Sequence, residues 1–245
     1  MKKIWHYVGV IFIMFWGLAP FYWMLITALR DSAHTFDTTP WPTHVTLQNF
    51  YDALATDKGN DFLGAIGNSL VISLSTTAIA VAVGVFTAYA IARLDFPGKG
   101  IVTGVILAAS MFPGIALVTP LFQLFGDLGW IGTYRAMIIP NISFALPLTI
   151  YTLISFFQQL PWELEQAARV DGATRGQAFR LVLLPLAAPA IFTTAILAFI
   201  TTWNEFMLAR QLSTTATEPV TVAIARFSGP SAFEYPYASI MAAGS

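Results

Sequence analysis

Five long uncharged stretches constrain the fold of this 245-residue chain more than any other feature. Each can supply the ~20 apolar residues that a helix needs to cross a bilayer. They are Ile4 to Leu29, Phe62 to Ala92, Gly100 to Gly126, Ala136 to Trp162 and Leu181 to Asn204. Backbone polar groups find no water inside a bilayer, so segments of this kind form helices. The sequence therefore predicts an all-α, polytopic membrane bundle with five spans.

The composition agrees with a membrane setting. Hydrophobic residues make up 56% of the chain and charged residues 10%, whereas soluble domains have about a quarter charged residues. The net charge of −1 gives no global field that would attract nucleic acid. Lys2 and Lys3 precede the first apolar run as in a signal peptide, but that run outlasts the ~7 to 15 residues of such a signal. We expect an uncleaved first span.

Basic residues favour one orientation of the spans. With a cytoplasmic N-terminus, seven of the twelve Lys and Arg residues lie on the inside, in the direction of the positive-inside rule. The seven are Lys2, Lys3, Arg93, Lys99, Arg169, Arg175 and Arg180. This orientation places the polar segment between the fourth and fifth spans in the cytoplasm.

Prolines interrupt several spans, because each removes a backbone donor and favours a kink. The interruptions are Pro20, the run Met111 to Gly114, Pro120, Pro140 and Pro147. Two interpretations stay open. The breaks are either ordinary packing geometry in a bundle or the lining of a path that opens and closes.

Residues that carry catalysis are missing from the sequence. The chain has no cysteine, and His6, His34 and His44 lack the spacing of metal ligands. Gly98-Lys99-Gly100 lacks the upstream glycine and the Ser or Thr of a phosphate-binding loop. We therefore expect a chain that is not an enzyme, with no catalytic, cofactor-binding or metal residues.

An acidic residue at the end of the fifth span is a candidate for function. Glu205 follows Trp203 and Asn204, and ionisable groups near a span mark functional sites by default. These three residues are a candidate part of a translocation path. Glu205 is equally compatible with an anchor at the membrane interface.

The polar segment from Pro161 to Pro185 has the signals of two helices. Pro161, with Glu163 and Glu165 in the first turn, predicts a helix from Trp162 to about Val170 that Gly172 ends in a left-handed conformation. Thr174 and Gln177 have the spacing of a capping box and predict a second helix that runs to Leu184 and stops at Pro185.

One face of the first short helix suits close contact with a partner. Leu164, Ala167, Ala168 and Asp171 share it at three- and four-residue spacing, and the two alanines let another surface approach. The alternative is an amphipathic connector on the bilayer surface. The polar side of this segment carries both signs of charge rather than a run of lysine and arginine, which disfavours binding to the bilayer surface.

This segment resembles the signature of the permease subunits of binding-protein-dependent ABC importers. Gln166-Ala167-Ala168, three residues, Gly172, nine residues and Val182-Leu183-Leu184-Pro185 match E-A-A, G and I-x-L-P at the family's spacing. Two departures from the family pattern stand out. Gln166 occupies the glutamate position, beside Glu165. Members of the family end with a sixth span, which we expect to be truncated here after residue 238.

Other segments resemble the carbohydrate branch of that family, the smaller permease of the maltose and trehalose type. They are Ala92 to Gly98, Met111-Phe112-Pro113, Asp171-Gly172-Ala173 and Trp203 to Phe206. The resemblance covers essentially the whole chain. It implies a single permease domain over 1–245 with the type I importer fold, five spans plus the start of a sixth, and a cytoplasmic coupling cassette at 161–185.

The resemblance also implies partners. A second homologous permease, two ATPase subunits that bind ATP and Mg, and an extracytoplasmic sugar-binding protein would join this chain in a bacterial or archaeal cell membrane. The residues implied in ATPase coupling are Glu163, Glu165, Gln166, Ala167, Ala168, Asp171, Gly172 and Pro185. A trehalose- or maltose-like sugar is the implied substrate.

A different class of function remains as an alternative, namely an ATP-independent channel or secondary carrier. Such a protein would carry intramembrane ionisable residues or an internal repeat. Neither is evident in the sequence.

Overall fold

The computed structural model describes residues 2–55, 61–227 and 237–244, and the regular secondary structure of those residues is helical. The helices are α1 (Lys2–Ala28), α2 (Gln48–Leu54), α3 (Phe62–Arg93), α4 (Lys99–Ser110), α5 (Val118–Asp127), α6 (Tyr134–Gln159), α7 (Trp162–Val170), α8 (Arg175–Ala178), α9 (Leu184–Trp203), α10 (Met207–Leu212), α11 (Val220–Ala225) and α12 (Tyr237–Gly244). The chain forms two compact units, one from Met1–Ile66 with Val220–Ser245 and one from Gly67–Pro219.

Within the described residues, four helical segments are long and apolar enough to cross a membrane. They are Lys3–Ala28, Phe62–Arg93, Tyr134–Gln159 and Arg175–Trp203. A fifth crossing requires the bent pair Lys99–Ser110 and Gly114–Asp127 to act as one span. The predicted all-α membrane fold is confirmed, while the third predicted stretch consists of two helices.

The break in the third stretch lies where the sequence predicts it. α4 ends at Ser110, a short 3₁₀ turn covers Gly114–Leu117, and the two arms are bent by 85°. Pro113 has no N–H to donate, and its ring disfavours helical conformation in the residue before it. By contrast, Pro20, Pro140 and Pro147 lie inside continuous helices and divide no span.

The core of the 67–219 unit joins the last part of α3, the last part of α6 and the start of the helix that leads into α9. Its buried residues are Val85, Ala88, Tyr89, Ile91, Ile150, Leu153, Ile154, Phe157, Phe179, Leu183 and Ala187. Because α7 and α8 connect α6 to α9, this core lies next to the polar cassette and supports it.

In the other unit, a buried arginine organises the segment after α1. Arg30 is 0% exposed, and its guanidinium donates to the backbone carbonyls of Asp37 and Thr39 and lies 5.3 Å from the ring centroid of Trp23. Asn49 of α2 donates to the carbonyl of Arg30 at 2.6 Å. Arg30 is therefore a structural residue.

The C-terminal helix α12 packs against α1 and α2 within the same unit. The start of a sixth span, which the sequence predicts to be truncated after residue 238, falls in this helix. The single domain predicted over 1–245 stays a prediction.

Two of the three histidines come together near the end of α1. The rings of His34 and His44 stack with centroids 4.2 Å apart, and Nδ1 of His34 is 2.6 Å from Oδ1 of Asp31. Asp31 also accepts a hydrogen bond from the backbone N–H of His34 and caps a short 3₁₀ turn. The stacked histidines therefore lie beside a turn that Asp31 caps.

Candidate coupling site

The first cassette helix has the predicted bounds. α7 runs from Trp162, directly after Pro161, to Val170. Gly172 has a φ of 90°, and the N–H of Ala173 donates to the carbonyl of Ala168 at 2.9 Å. This closing bond is the one that a left-handed residue makes possible at a helix C-terminus. The predicted stop at Gly172 is confirmed.

The second cassette helix begins as predicted. Oγ1 of Thr174 accepts a hydrogen bond from the N–H of Gln177 at 3.3 Å, and the side chain of Gln177 accepts one from the N–H of Thr174 at 2.8 Å. The two bonds satisfy two N–H groups that would otherwise lack partners at the start of a helix. The capping box is confirmed.

The predicted end of that helix at Pro185 is wrong. The helix continues from Arg175 to Trp203, passing through the π-helical segment Phe179–Leu183 just before the proline. Proline in a helix lacks a donor, and its ring clashes with the preceding turn. A π segment widens that turn, so the irregular hydrogen bonding falls next to Pro185 and the helix is not interrupted.

Exposure divides the predicted coupling residues into two groups. Glu163, Gln166, Ala167, Asp171, Gly172 and Pro185 are exposed, whereas Ala168 is half-buried and Glu165 is only 3% exposed. Val170 is 86% exposed although it is apolar. The open side of α7 thus runs along Glu163, Ala167 and Val170, and Glu165 faces the chain's own helices.

An open depression lies where the two cassette helices meet. Gln166, Arg169, Gly172 and Arg175 are among the residues that line it. It carries two cationic side chains beside the exposed edge of α7. The geometry offers a surface with both small and charged groups.

Two residues of α3 hold the buried side of α7. The hydroxyl of Tyr89 donates to Oε1 of Glu165 at 3.4 Å, and Nη2 of Arg93 donates to the carbonyl of Leu160 at 2.5 Å. The guanidinium carbon of Arg93 also lies 4.8 Å from the ring centroid of Trp162. We call these contacts of Tyr89 and Arg93 the α3 clamp.

Sequence reasoning missed the α3 clamp. Tyr89 and Arg93 are four residues apart, so they share one face of α3, and that spacing was the available signal. Their partners lie 76 and 67 residues further along the chain. Nothing local in the sequence connects them.

The candidate path residues after α9 have structural contacts of their own. The carboxylate of Glu205 accepts hydrogen bonds from the N–H of Leu208 at 2.8 Å and of Ala209 at 3.0 Å, which caps α10. Asn204 donates to the carbonyl of Ile200 at 2.9 Å. Trp203 and Glu205 also line a small cavity with Ser73 of α3. Their part in a path stays a prediction.

Curated proteins similar to this chain are named as permeases. The trehalose transport system permease protein SugB of Mycobacterium tuberculosis is 47% identical over 228 residues, which cover 93% of this chain and 82% of that protein. The trehalose/maltose transport system permease protein MalG of Thermococcus litoralis is 36% identical over 244 residues, covering 99% and 87%.

A solved structure has the same fold. A chain of a bacterial ABC transporter involved in the import of the acidic polysaccharide alginate superposes with a TM-score of 0.77 at 20% identity, covering 99% of this chain and 90% of that one. Residues 80–243, which include the cassette, match the family described as the inner membrane component of binding-protein-dependent transport systems. The chain therefore belongs to this family of ABC-importer permeases.

Proposed function

We propose that this chain is one permease subunit of an ATP-driven sugar importer and forms half of its translocation path. The similarity to permeases named for trehalose and for trehalose/maltose supports a di- or oligosaccharide substrate. A second homologous permease completes the path. An extracytoplasmic binding protein delivers the sugar from outside the cell.

The observation that carries the proposal is the two-sided packing of α7. One side is exposed along Glu163, Ala167 and Val170, and the other is held to α3 through Glu165 and Trp162. A helix with this arrangement can bind a partner and pass the partner's movement to a span. The proposed partner is an ATPase subunit, one of two that bind ATP and Mg for the complex.

Coupling requires two conformations of the spans that bind the ATPase subunits differently. A ligand shifts an equilibrium between conformations only by the difference in its affinity for them. We infer that nucleotide-bound, closed ATPase subunits favour the outward-open conformation through α7, whereas release of the products favours the inward-open one. ATP hydrolysis takes place in those subunits.

This mechanism places the cassette in the cytoplasm, where ATP is found. The N-terminus is then cytoplasmic as well, in agreement with the modest excess of basic residues on that side. The proposed location is the cell membrane of a bacterium or archaeon. Trp203, Asn204 and Glu205 are the residues proposed to face the path, and Trp203 and Glu205 border the small cavity beside α3.

A bulky residue on the open side of α7 tests the proposal. Ala167 is exposed, so we expect the larger side chain of Ala167→Trp to extend into solvent and leave the bundle folded. The complex is purified through a tag on this chain, and ATP hydrolysis is measured with and without sugar-loaded binding protein. We expect Ala167→Trp to abolish the sugar-dependent stimulation or to release the ATPase subunits.

Ala167→Ser is the matched control, because it changes the same position by a single oxygen atom. We expect it to keep wild-type stimulation. Wild-type stimulation in a well-folded Ala167→Trp complex would overturn the docking role of α7.

A further inference from the structure

The α3 clamp touches the cassette at two different points. Arg93 ends α3 and contacts the joint between α6 and α7, where Leu160 and Trp162 lie. Tyr89 lies one turn earlier and contacts Glu165, one turn into α7. A helix held at its start and again one turn later transmits rotation as well as translation.

Arg93 makes the firmer of the two contacts. Arg93 is 5% exposed, and its guanidinium donates to the Leu160 carbonyl at 2.5 Å and lies over the ring of Trp162. A charge-assisted hydrogen bond and a cation–π contact together fix the joint at the start of α7. The joint is therefore suited to act as a pivot.

The contact between Tyr89 and Glu165 is the more adjustable one. Oε1 of Glu165 accepts a hydrogen bond of 3.4 Å, longer than the usual 2.5–3.0 Å between a hydroxyl and an oxygen. Oε2 is buried without a hydrogen-bond partner among the described residues. A small rotation of α7 shortens or breaks this one bond. The energy of the buried Glu165 side chain therefore depends on the orientation of α7 relative to Tyr89.

Aromatic packing fixes the position of Tyr89. Its ring centroid is 4.4 Å from that of Phe179 and 6.1 Å from that of Phe157, the latter in an edge-to-face arrangement. Phe157 belongs to α6, and Phe179 begins the π segment that leads into α9. The hydroxyl of Tyr89 is thus a fixed point on the bundle, against which α7 moves.

We propose that the α3 clamp links cassette to span: α7 pivots at the contact of Arg93 with Leu160, and the bond between Tyr89 and Glu165 transmits that motion to α3. Tyr89, Arg93 and Glu165 are positioning residues in this account, since they contact neither sugar nor nucleotide. The inference rests on the proposed coupling function and adds which residues carry the motion. It also separates Glu165, which faces inward, from the exposed residues that face the partner.

The test uses the complete complex in lipid nanodiscs with a binding protein loaded with trehalose. The readout is the ratio of ATP hydrolysis with and without the loaded binding protein, together with the thermal unfolding temperature and the amount of ATPase subunit retained. Tyr89→Phe deletes the donor. Glu165→Met deletes the acceptor but keeps an apolar side chain of similar length, and Glu165→Gln keeps an acceptor.

We expect Tyr89→Phe and Glu165→Met each to lower the ratio about three- to tenfold, as the loss of one buried hydrogen bond implies. The double variant should lose no more than the stronger single variant, because both act through one contact. Glu165→Gln should retain most of the ratio. Met also removes the buried Oε2 that lacks a partner, so we expect the ratio to fall in Glu165→Met without a fall in the thermal unfolding temperature.

Tyr134→Phe is the matched control. It deletes a tyrosine hydroxyl that donates to Oδ1 of Asn68 at 2.6 Å, near the opposite end of α3. We expect it to keep the wild-type ratio. A loss as large as that of Tyr89→Phe would overturn the clamp, because general loosening of α3 would explain both.

Two further results would overturn the inference: wild-type ratios in Tyr89→Phe and Glu165→Met, or fully additive losses in the double variant. Both results differ from the result expected if the proposed function is wrong. If it is wrong, the wild-type complex itself shows no stimulation by any sugar-loaded binding protein, and both proposals fail.

Discussion

Gly84 of α3 packs directly against Thr149 of α6. A β-carbon at position 84 would lie 2.5 Å from Cγ2 of Thr149, a residue that is 1% exposed. Small residues permit such approaches between membrane helices, where packing replaces the hydrophobic effect as the driving force.

Gly84→Ala is therefore expected to destabilise the protein by about 1–3 kcal/mol, the usual range for overpacking a filled core. The measurement is the free energy of unfolding in detergent. Thr149→Ser removes the methyl group that a new β-carbon would meet, so the double variant should recover most of the loss. Gly104→Ala in α4 is the control, since a β-carbon there meets nothing within 4 Å. A loss in Gly84→Ala equal to that in Gly104→Ala would contradict the close approach.

Glu205 is expected to contribute to stability as a helix cap. Its two carboxylate oxygens accept from the N–H groups of Leu208 and Ala209, so Glu205→Ala leaves two donors at the start of α10 without these acceptors. We expect a loss of about 1 kcal/mol, as for other caps. Glu205→Gln keeps one acceptor and should fall between wild type and Glu205→Ala in thermal unfolding. Identical unfolding temperatures for all three proteins would contradict the capping role.

The segment after α1 should lose stability in acid. The side-chain hydrogen bond with His34 holds the pKa of Asp31 below its usual range. A group whose pKa is lowered by folding stabilises the folded protein above the unfolded pKa of about 3.9, and this contribution disappears as the pH falls through the folded value.

Asp31→Asn cannot ionise and provides the comparison. The difference in thermal unfolding temperature between wild type and Asp31→Asn should be full above about pH 4 and should shrink at lower pH. A difference that stays constant from neutral pH to pH 3 would show that the carboxylate charge is not involved.

Features written in a few adjacent residues could be predicted from the sequence. The bounds of α7, the left-handed Gly172 and the capping box of Thr174 with Gln177 all follow from such local patterns. The break at Pro113 does as well. Each depends on backbone conformation and on groups within one helical turn, so the rest of the fold does not alter it.

Features that depend on distant partners could not be predicted. Arg30 follows the first apolar run with no local sign of a partner, yet it donates to the backbone carbonyls of Asp37 and Thr39. Glu165 is among the residues that the resemblance implies in ATPase coupling, yet it is buried and accepts a hydrogen bond from Tyr89 of α3. The sequence predicts that a helix ends at Pro185, but the π segment before the proline lets the helix continue. In each case tertiary packing decided between two conformations that the local sequence allows.

On the proposed function, sugar should move through this chain only when a partner hydrolyses ATP. The most direct measurement is uptake of labelled trehalose or maltose into proteoliposomes that contain the complex purified through this chain, with loaded binding protein outside and ATP inside. We expect sugar to accumulate inside above its outside concentration, in proportion to the ATP hydrolysed. Accumulation should be abolished when ATP is replaced by a non-hydrolysable analogue. Uptake that proceeds without ATP, and stops when the concentrations are equal, would contradict it.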